Sequence, residues 1–313
     1  MDKLISKKSF SLCSSDGQTT LQGSIWLVDG IQHKGIFQIV HGMVEFIDRY
    51  DEFARYLANS GYIVIGHDQL GHGSSVRDGA CRGFLTMKRG ALYLVSDVDL
   101  VRKYAQDQFG PLPHVLLGHS MGSFVVRVYL QNYAQGLHGA IIMGTGWHNH
   151  RLMDFTKALS LNLVKAHGED YRSKLLDALV LGAYAAKFPG EGKSAWLSHN
   201  LESRKAYKSD ERTQFRFSAA SYHELFVLVQ RSCRLSLIAS MPKNLPILIT
   251  SGACDSVGNF SKGPKKLYET LQDLSFTEVS IKLYPDDRHE ILHELDRHEV
   301  FADIKSWADT YVC

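Results

Sequence analysis

The pentapeptide Gly118-His-Ser-Met-Gly122 follows the apolar run His114-Val-Leu-Leu and leads into a segment of helical period. This setting restricts the fold more than any other feature of the chain. A strand that turns sharply into a helix holds its apical residue at strained backbone angles, and glycines two before and two after it are required because side chains there would clash. A serine at that apex presents its hydroxyl above the end of a sheet, so the chain must contain a sheet whose strands lead into helices.

The remaining sequence supplies one. Short apolar runs alternate with longer segments of helical period, the trace of a parallel sheet with crossover helices. Strands are expected at 35–40, 61–66, 114–118, 139–143, 245–250 and 279–284. Most are continuous rather than alternating, which suits strands covered on both faces. Between them, Phe53 and Leu57 share one face of a helix over 50–59 that stops at Gly61, and Leu94, Val98, Val101 and Ala105 repeat at helical spacing. Residues 9–27 have the alternation of a hairpin, with a Ser-Ser-Asp-Gly turn at 14–17. The expected fold class is α/β, with a mostly parallel, doubly wound sheet.

From 147 to 243 the rhythm breaks: helical stretches such as 151–166 and 172–186 follow one another without a convincing strand. This insertion begins after the strand ending near Met143 and ends at the strand beginning near Leu245. Both its ends therefore emerge over the carboxyl ends of the strands, where open α/β sheets bind ligands. The expected organisation is a helical lid at 147–243 over a core made of 1–146 and 244–313. At 313 residues, one large domain with an insertion fits the length as well as two separate domains.

A serine hydroxyl is a poor nucleophile until a base takes its proton, and the base needs an acid to orient it. With the serine at a strand-to-helix apex, the acid follows a late strand and the histidine follows the last one. Asp255 stands after the run ending at Ser251, and His289 stands after the run ending at Tyr284. The expected catalytic set is Ser120, Asp255 and His289, with Asp286 and Asp287 as rival acids that could instead cap the helix following them. Two backbone N–H groups must also hold the oxyanion. Met121, after the serine, and Met43, in the loop after the first parallel strand, are the expected donors. His41, His72 and His119 sit beside glycines in these loops and are expected to be hydrogen-bonded structural residues. His148 and His150 lack the further ligands a metal needs, so neither metal nor cofactor is expected.

The segments His41-Gly-Met-Val-Glu, Asp68-Gln-Leu-Gly-His-Gly-Ser74, Gly118-His-Ser-Met-Gly, Gly252-Ala-Cys-Asp255 and Arg288-His-Glu-Ile-Leu292 resemble the monoacylglycerol lipase and bacterial lysophospholipase branch of the α/β-hydrolases. Within the insertion, Trp196-Leu-Ser-His-Asn and Phe215-Arg-Phe-Ser-Ala-Ala-Ser-Tyr222 resemble its bacterial members. The resemblance implies a serine carboxylic-ester hydrolase working through an acyl-enzyme on monoacylglycerols, lysophospholipids or related esters. It implies the same triad and the same two amide donors. Short-chain carboxylesterase, peptidase and a non-catalytic binding protein remain as alternatives. Gln69-Leu70 departs from the family, which more often carries an arginine in this turn.

Charge adds one asymmetry. Residues 147–243 contain fifteen lysines and arginines against nine aspartates and glutamates, so this segment nets +6 while the rest of the chain nets −4 within a whole-chain +2. A basic, partly apolar lid suits an acyl chain and transient contact with an anionic lipid surface; a solvated face accounts for the same count. The near-neutral total gives no field that would recruit nucleic acid. Five scattered cysteines without a Cys-x-x-Cys pair suggest neither disulfide framework nor zinc site. Together with a charged N-terminus lacking a long apolar run, they lead to the expectation of a soluble, cytoplasmic protein.

Overall fold

Continuous Val, Ile and Leu runs form strands here because both faces of the sheet are covered, and every residue of the central strands is buried. The computed structural model describes residues 4–312; Cys313, one of the five cysteines, lies outside them. Eight strands form one sheet: β1 (Ile5–Cys13), β2 (Thr20–Val28), β3 (Gly35–Val40), β4 (Tyr62–His67), β5 (His114–His119), β6 (Gly139–Met143), β7 (Ile247–Gly252) and β8 (Val279–Tyr284). Their spatial order is β1-β2-β4-β3-β5-β6-β7-β8. The β1–β2 and β2–β4 pairs are antiparallel, and all others are parallel. β7 starts two residues later than its apolar run, because Pro246 has no N–H to give; its carbonyl accepts from Ala140 instead.

Helices α1 (Asp51–Asn59), α2 (Gly90–Phe109) and α3 (Met121–Tyr133) fill the connections up to β6. Between β6 and β7 lie α4 (His150–His167), α5 (Lys174–Asp177), α6 (Ala183–Ala185), α7 (Leu201–Ser209), α8 (Ala219–Ser232) and α9 (Leu235–Ile238), with no strand among the described residues. α10 (Lys262–Asp273) joins β7 to β8, and α11 (Arg297–Val312) ends the chain. The single helix expected over 172–186 is instead α5, a π-helical turn at Ala178–Gly182, and α6. The wider turn lets three consecutive residues, Leu179, Val180 and Leu181, line one cavity.

Strand alternation sends Phe37 and Ile39 of β3 into a core layer with Phe53 and Leu57 of α1 and Phe301 and Ile304 of α11. Val40 joins the opposite layer, with Val98 of α2 and Val125 of α3. Phe37 meets Phe53 edge-on, with ring centres 5.8 Å apart. Truncating Phe37 to alanine would cost about 3–5 kcal/mol, the usual loss for an aromatic side chain in a packed core. Leu225, Phe226 and Val229 of α8 belong to the same layer as α3, so this helix of the insertion is rooted in the sheet's own core.

The topology places the site. β3 and β5 are neighbours, with Val40 opposite Gly118, yet the chain after β3 leads to β4 on one side and the chain after β5 leads to β6 on the other. The loops beyond their carboxyl ends diverge and leave a crevice, the switch point where such sheets bind ligands.

Candidate active site

Ser120 occupies that crevice at the N-terminus of α3 with φ 54° and ψ −118°, a conformation rarely tolerated outside glycine. Its N–H donates to Met143 O of the adjoining strand at 3.0 Å, and its carbonyl accepts from Ser123 Oγ at 2.6 Å. The flanking glycines are sterically compelled: a Cβ on Gly118 would lie 2.3 Å from Gly122 O, and one on Gly122 would lie 2.1 Å from Val40 O.

Asp255 ends the loop after β7 and is fully buried. Its Oδ1 accepts from the Val257 N–H at 2.8 Å, while Oδ2 accepts from Ser251 Oγ at 3.2 Å and lies 2.9 Å from His289 Nδ1. A carboxylate can only accept, so Nδ1 carries the proton and Nε2 is left with its lone pair. That Nε2 is buried and has no hydrogen-bond partner among the described residues. The structure thus brings Asp255 and His289 together, and places Asp287 elsewhere. Asp287 receives the Cys254 N–H on its backbone carbonyl, and burial, reinforced by Asp296 and Glu294, pushes its carboxyl up to about 8. Neither Asp286 nor Asp287 caps the next helix: the short 3-10 turn begins at Ile291, with Glu290 in the capping position. A polar residue three or four positions before that cap is too far back to reach the turn's first free N–H groups.

Ser120, Met43 and Met121 line one cavity of about 280 Å³. Among the described residues, no hydrogen bond of the surrounding loops and turns takes up the N–H of Met43 or of Met121. The loop bearing Met43 is held from behind, where the Gly42 N–H donates to Glu45 Oε1. A Cβ on Gly42 would lie 2.5 Å from that oxygen and 3.0 Å from Ser120 Cβ, so only glycine fits between them.

Glu45 belongs to a buried polar network that pattern reading did not assign. Its Oε1 also accepts from Tyr50 Oη at 3.0 Å and lies 3.1 Å from His119 Nδ1, and its Oε2 accepts from Arg49 at 2.9 Å. Burial by itself would raise Glu45, but the hydrogen bond and charge of His119 and the charge of Arg49 outweigh it and hold its carboxyl well below the usual range. Burial by itself would lower His119; the hydrogen bond and charge of Glu45 reverse this and raise it. His119 Nε2 reaches the His289 carbonyl at 3.2 Å, joining the network to the histidine loop. The sequence signal for this network was Glu45 and Arg49 at helical i, i+4 spacing.

The other histidines fall where local hydrogen bonding holds them. His41 Nδ1 lies 2.8 Å from Gly42 O and its Nε2 accepts from the Gln69 N–H at 2.9 Å; burial pushes it down to about 3. Gln69 also donates its side-chain amide to the His41 carbonyl. His72 lies 2.9 Å from the Leu70 carbonyl and is pushed down to about 4, again by burial. His148 lines the cavity and is lowered to about 4 by burial and by Arg127. No cluster of three or more His, Cys, Asp or Glu suited to a metal occurs among the described residues.

The insertion is stitched to the histidine loop. The His289 and Glu290 N–H groups donate to the carbonyls of Trp196 and Leu197 at 3.4 and 2.7 Å, and the Trp196 ring lies 5.1 Å from the His289 ring. Apolar side chains of α4, the π turn and α8, among them Phe155, Leu179, Leu225 and Phe226, complete the cavity wall.

Comparison with known proteins agrees with this geometry. The chain is 27% identical over 289 residues to a monoacylglycerol lipase of Mycolicibacterium smegmatis, covering 90% of each chain. It is 27% identical over 303 residues to monoglyceride lipase of Mus musculus, covering 95% of this chain and 88% of the relative. A thermostable carboxyl esterase from Bacillus coagulans has the same fold, with a TM-score of 0.91 at 24% identity over 98% of this chain and 99% of its own. Residues 31–296 match the family model described as serine aminopeptidase, S33; on that match, the chain belongs to this family and is an α/β-hydrolase.

Proposed function

We propose that the chain is a serine carboxylic-ester hydrolase that cleaves monoacylglycerols or related single-chain esters through an acyl-enzyme. One observation carries this reading: Ser120, Met43 and Met121 line a single cavity whose wall contains no lysine, arginine, aspartate or glutamate. Such a cavity accepts an acyl chain and positions its carbonyl against Ser120. Asp255 keeps the His289 proton on Nδ1, so Nε2 serves as the base. His289 takes the Ser120 proton as Oγ adds to the carbonyl carbon, and the two amides hold the oxyanion. The alcohol departs with that proton, and water then releases the acid by the same steps.

Aminopeptidase activity, which the family's description suggests, needs a carboxylate to receive the substrate's amine, and the cavity wall offers none. The lid side supports transient contact with a lipid surface: Leu152, Phe155 and Leu179 are 51%, 63% and 48% exposed and rim the same cavity. No helix of the described residues is long and apolar enough to cross a membrane. Cytoplasmic residence, inferred from Cys13, Cys81, Cys233 and Cys254 all being free, is testable by cell fractionation.

The decisive experiment is hydrolysis of p-nitrophenyl esters from acetyl to palmitoyl, and of monoacylglycerol, by the protein and its Ser120→Ala variant. Loss of turnover in the variant, with longer chains preferred by the parent, is the expected result. Turnover that survives without Ser120 would overturn the mechanism, and preference for acetyl would make this a short-chain esterase.

A further inference from the structure

The turn that carries Met43 is strained at its next residue. Among the described residues, seven other than glycine have positive φ, and Val44, at 58°, is the only one of them branched at Cβ. Valine resists this conformation because its second γ-carbon crowds the backbone, so something outside the turn must hold it there. Strain of this sort persists where surrounding structure fixes it, and it collects at functional sites.

Tyr207 of α7 supplies the hold from 163 positions away. Its Oη donates to the Val44 carbonyl at 3.0 Å, and that carbonyl accepts no other hydrogen bond among the described residues. The tyrosine is itself fixed: the Arg49 guanidinium lies 4.9 Å from its ring centre, and its own carbonyl accepts from Thr213 Oγ1 and Gln214 Nε2 in the turn after α7. On the other side of Met43, the Gly42 N–H is held by Glu45 Oε1. The peptide that bears the Met43 N–H is thus braced at both ends, by Glu45 and by Tyr207, and Arg49 contacts both braces. Without the tyrosine hydroxyl, Val44 is free to return to negative φ, and that rotation turns the neighbouring peptides and with them the Met43 N–H.

We propose that Tyr207 is a positioning residue: its hydroxyl keeps Val44 in the left-handed region and so aims the Met43 amide at the developing oxyanion, which makes α7 of the insertion part of the catalytic apparatus as well as a cavity wall. The inference rests on the ester-hydrolase reading above, which gives that amide its role. Val44 and Tyr207 also line both the acyl cavity and a second cavity of about 910 Å³ beside it. A direct contact between Tyr207 and bound substrate is therefore the rival account. Loss of such a contact raises KM, whereas a misaimed amide lowers kcat.

The test removes the hydroxyl with and without the strain. Tyr207→Phe, Val44→Gly and the double variant are assayed on p-nitrophenyl butyrate, beside Tyr222→Phe, which removes another hydroxyl of the insertion, one that donates to Asp177 at 3.0 Å. Tyr207→Phe is expected to lower kcat about tenfold, less than the roughly hundredfold for outright loss of an oxyanion donor, because the amide is loosened and not removed. KM should stay within about twofold of the parent, and Tyr222→Phe should leave both constants within that range. Glycine reaches positive φ without strain, so in the Val44→Gly background the same tyrosine substitution should lower kcat by less than about twofold. A second readout is binding of a decyl trifluoromethyl ketone, whose adduct with Ser120 carries an oxyanion: it should weaken about tenfold in Tyr207→Phe, while decanol binds as it does to the parent. Full kcat in Tyr207→Phe overturns the proposal, as does an equal loss in the valine and glycine backgrounds, a loss confined to KM, or an equal loss in Tyr222→Phe. An inactive Val44→Gly protein contradicts it as well, since glycine should keep the turn. So does a Tyr207→Phe protein that melts below the assay temperature, because the hydroxyl would then serve the fold. Should the parent hydrolyse no ester, the ester-hydrolase reading falls, and this inference with it.

Discussion

Arg49 grips the carboxylate of Glu290, the residue directly after His289, with both terminal nitrogens at 2.6 and 2.8 Å. The same guanidinium donates to Glu45, which holds the Gly42 N–H of the loop carrying Met43. One buried cation therefore ties the loop carrying Met43 to the histidine loop; against the burial that would raise them, His119 and then Arg49 hold Glu45 below the usual range, and Arg49 holds Glu290 below it. Removing only the cation strands two buried carboxylates. The Arg49→Met variant is expected to lose about 3–5 kcal/mol of stability. The triple variant Arg49→Met/Glu45→Gln/Glu290→Gln should recover at least half of that in urea unfolding, because no uncompensated charge remains. Equal loss in both variants would show that the network stabilises through packing rather than charge.

Gly42 separates Glu45 from Ser120, and a methyl group there would meet both at 2.5 and 3.0 Å. Gly42→Ala should displace the Met43 amide and lower kcat on p-nitrophenyl butyrate by roughly a hundredfold, as for the loss of one oxyanion donor. KM should change by less than about threefold, since the acyl cavity is built elsewhere. A variant with full kcat would mean that the Met43 amide is not used.

Six histidines are held neutral by burial: His41 and His114 near 3, and His67, His72, His148 and His293 near 4, against an ordinary 6.5. Their folded values are depressed, so between about pH 4 and 6.5 the unfolded chain binds more protons than the folded one, and stability falls as pH falls. Each such imidazole contributes up to about 1.4 kcal/mol per pH unit in that window. Only His119 is shifted the other way, with stability lost as pH rises. Melting temperature should therefore drop steeply from pH 6.5 to 5, where most proteins are near their maximum. A flat profile over that range would contradict the burial of these rings.

Leu175 is 52% exposed on α5 and lines neither cavity next to Ser120. If the helical insertion rests on lipid aggregates, Leu175→Asp should reduce turnover of vesicle-borne monoacylglycerol several-fold. Unfolding free energy should stay within about 0.5 kcal/mol of the parent, as for other surface changes. Unchanged vesicle turnover would remove this residue from any lipid-facing surface.

Local requirements were the legible ones. Gly118 and Gly122 announce the strand-to-helix apex because no other residue fits within 2.3 Å of the opposing carbonyls, and β3 to β7 announce themselves because both their faces are buried. β8 is less plain: five of its six residues are only partly buried at the sheet's edge, and its apolar run alone does not distinguish edge from centre. The Arg49–Glu290 pair spans 241 positions, so no window of sequence contains it. The π turn at Ala178–Gly182 escaped because its leucines and valine keep an ordinary helical pattern; the extra residue per turn is a tertiary choice.

The pairing of Leu197 with Glu290 has a consequence for engineering. Here the stretch up to about residue 190 touches the chemistry only through cavity walls, whereas the Trp196 and Leu197 carbonyls accept from His289 and Glu290, and the His199 N–H and Asn200 side-chain amide donate to Glu294 and the His293 carbonyl just beyond. A chimera cut before Ser194 would inherit a new specificity and keep its base. A chimera cut after Asn200 would import a foreign hinge, and with it a histidine whose placement must be evolved again.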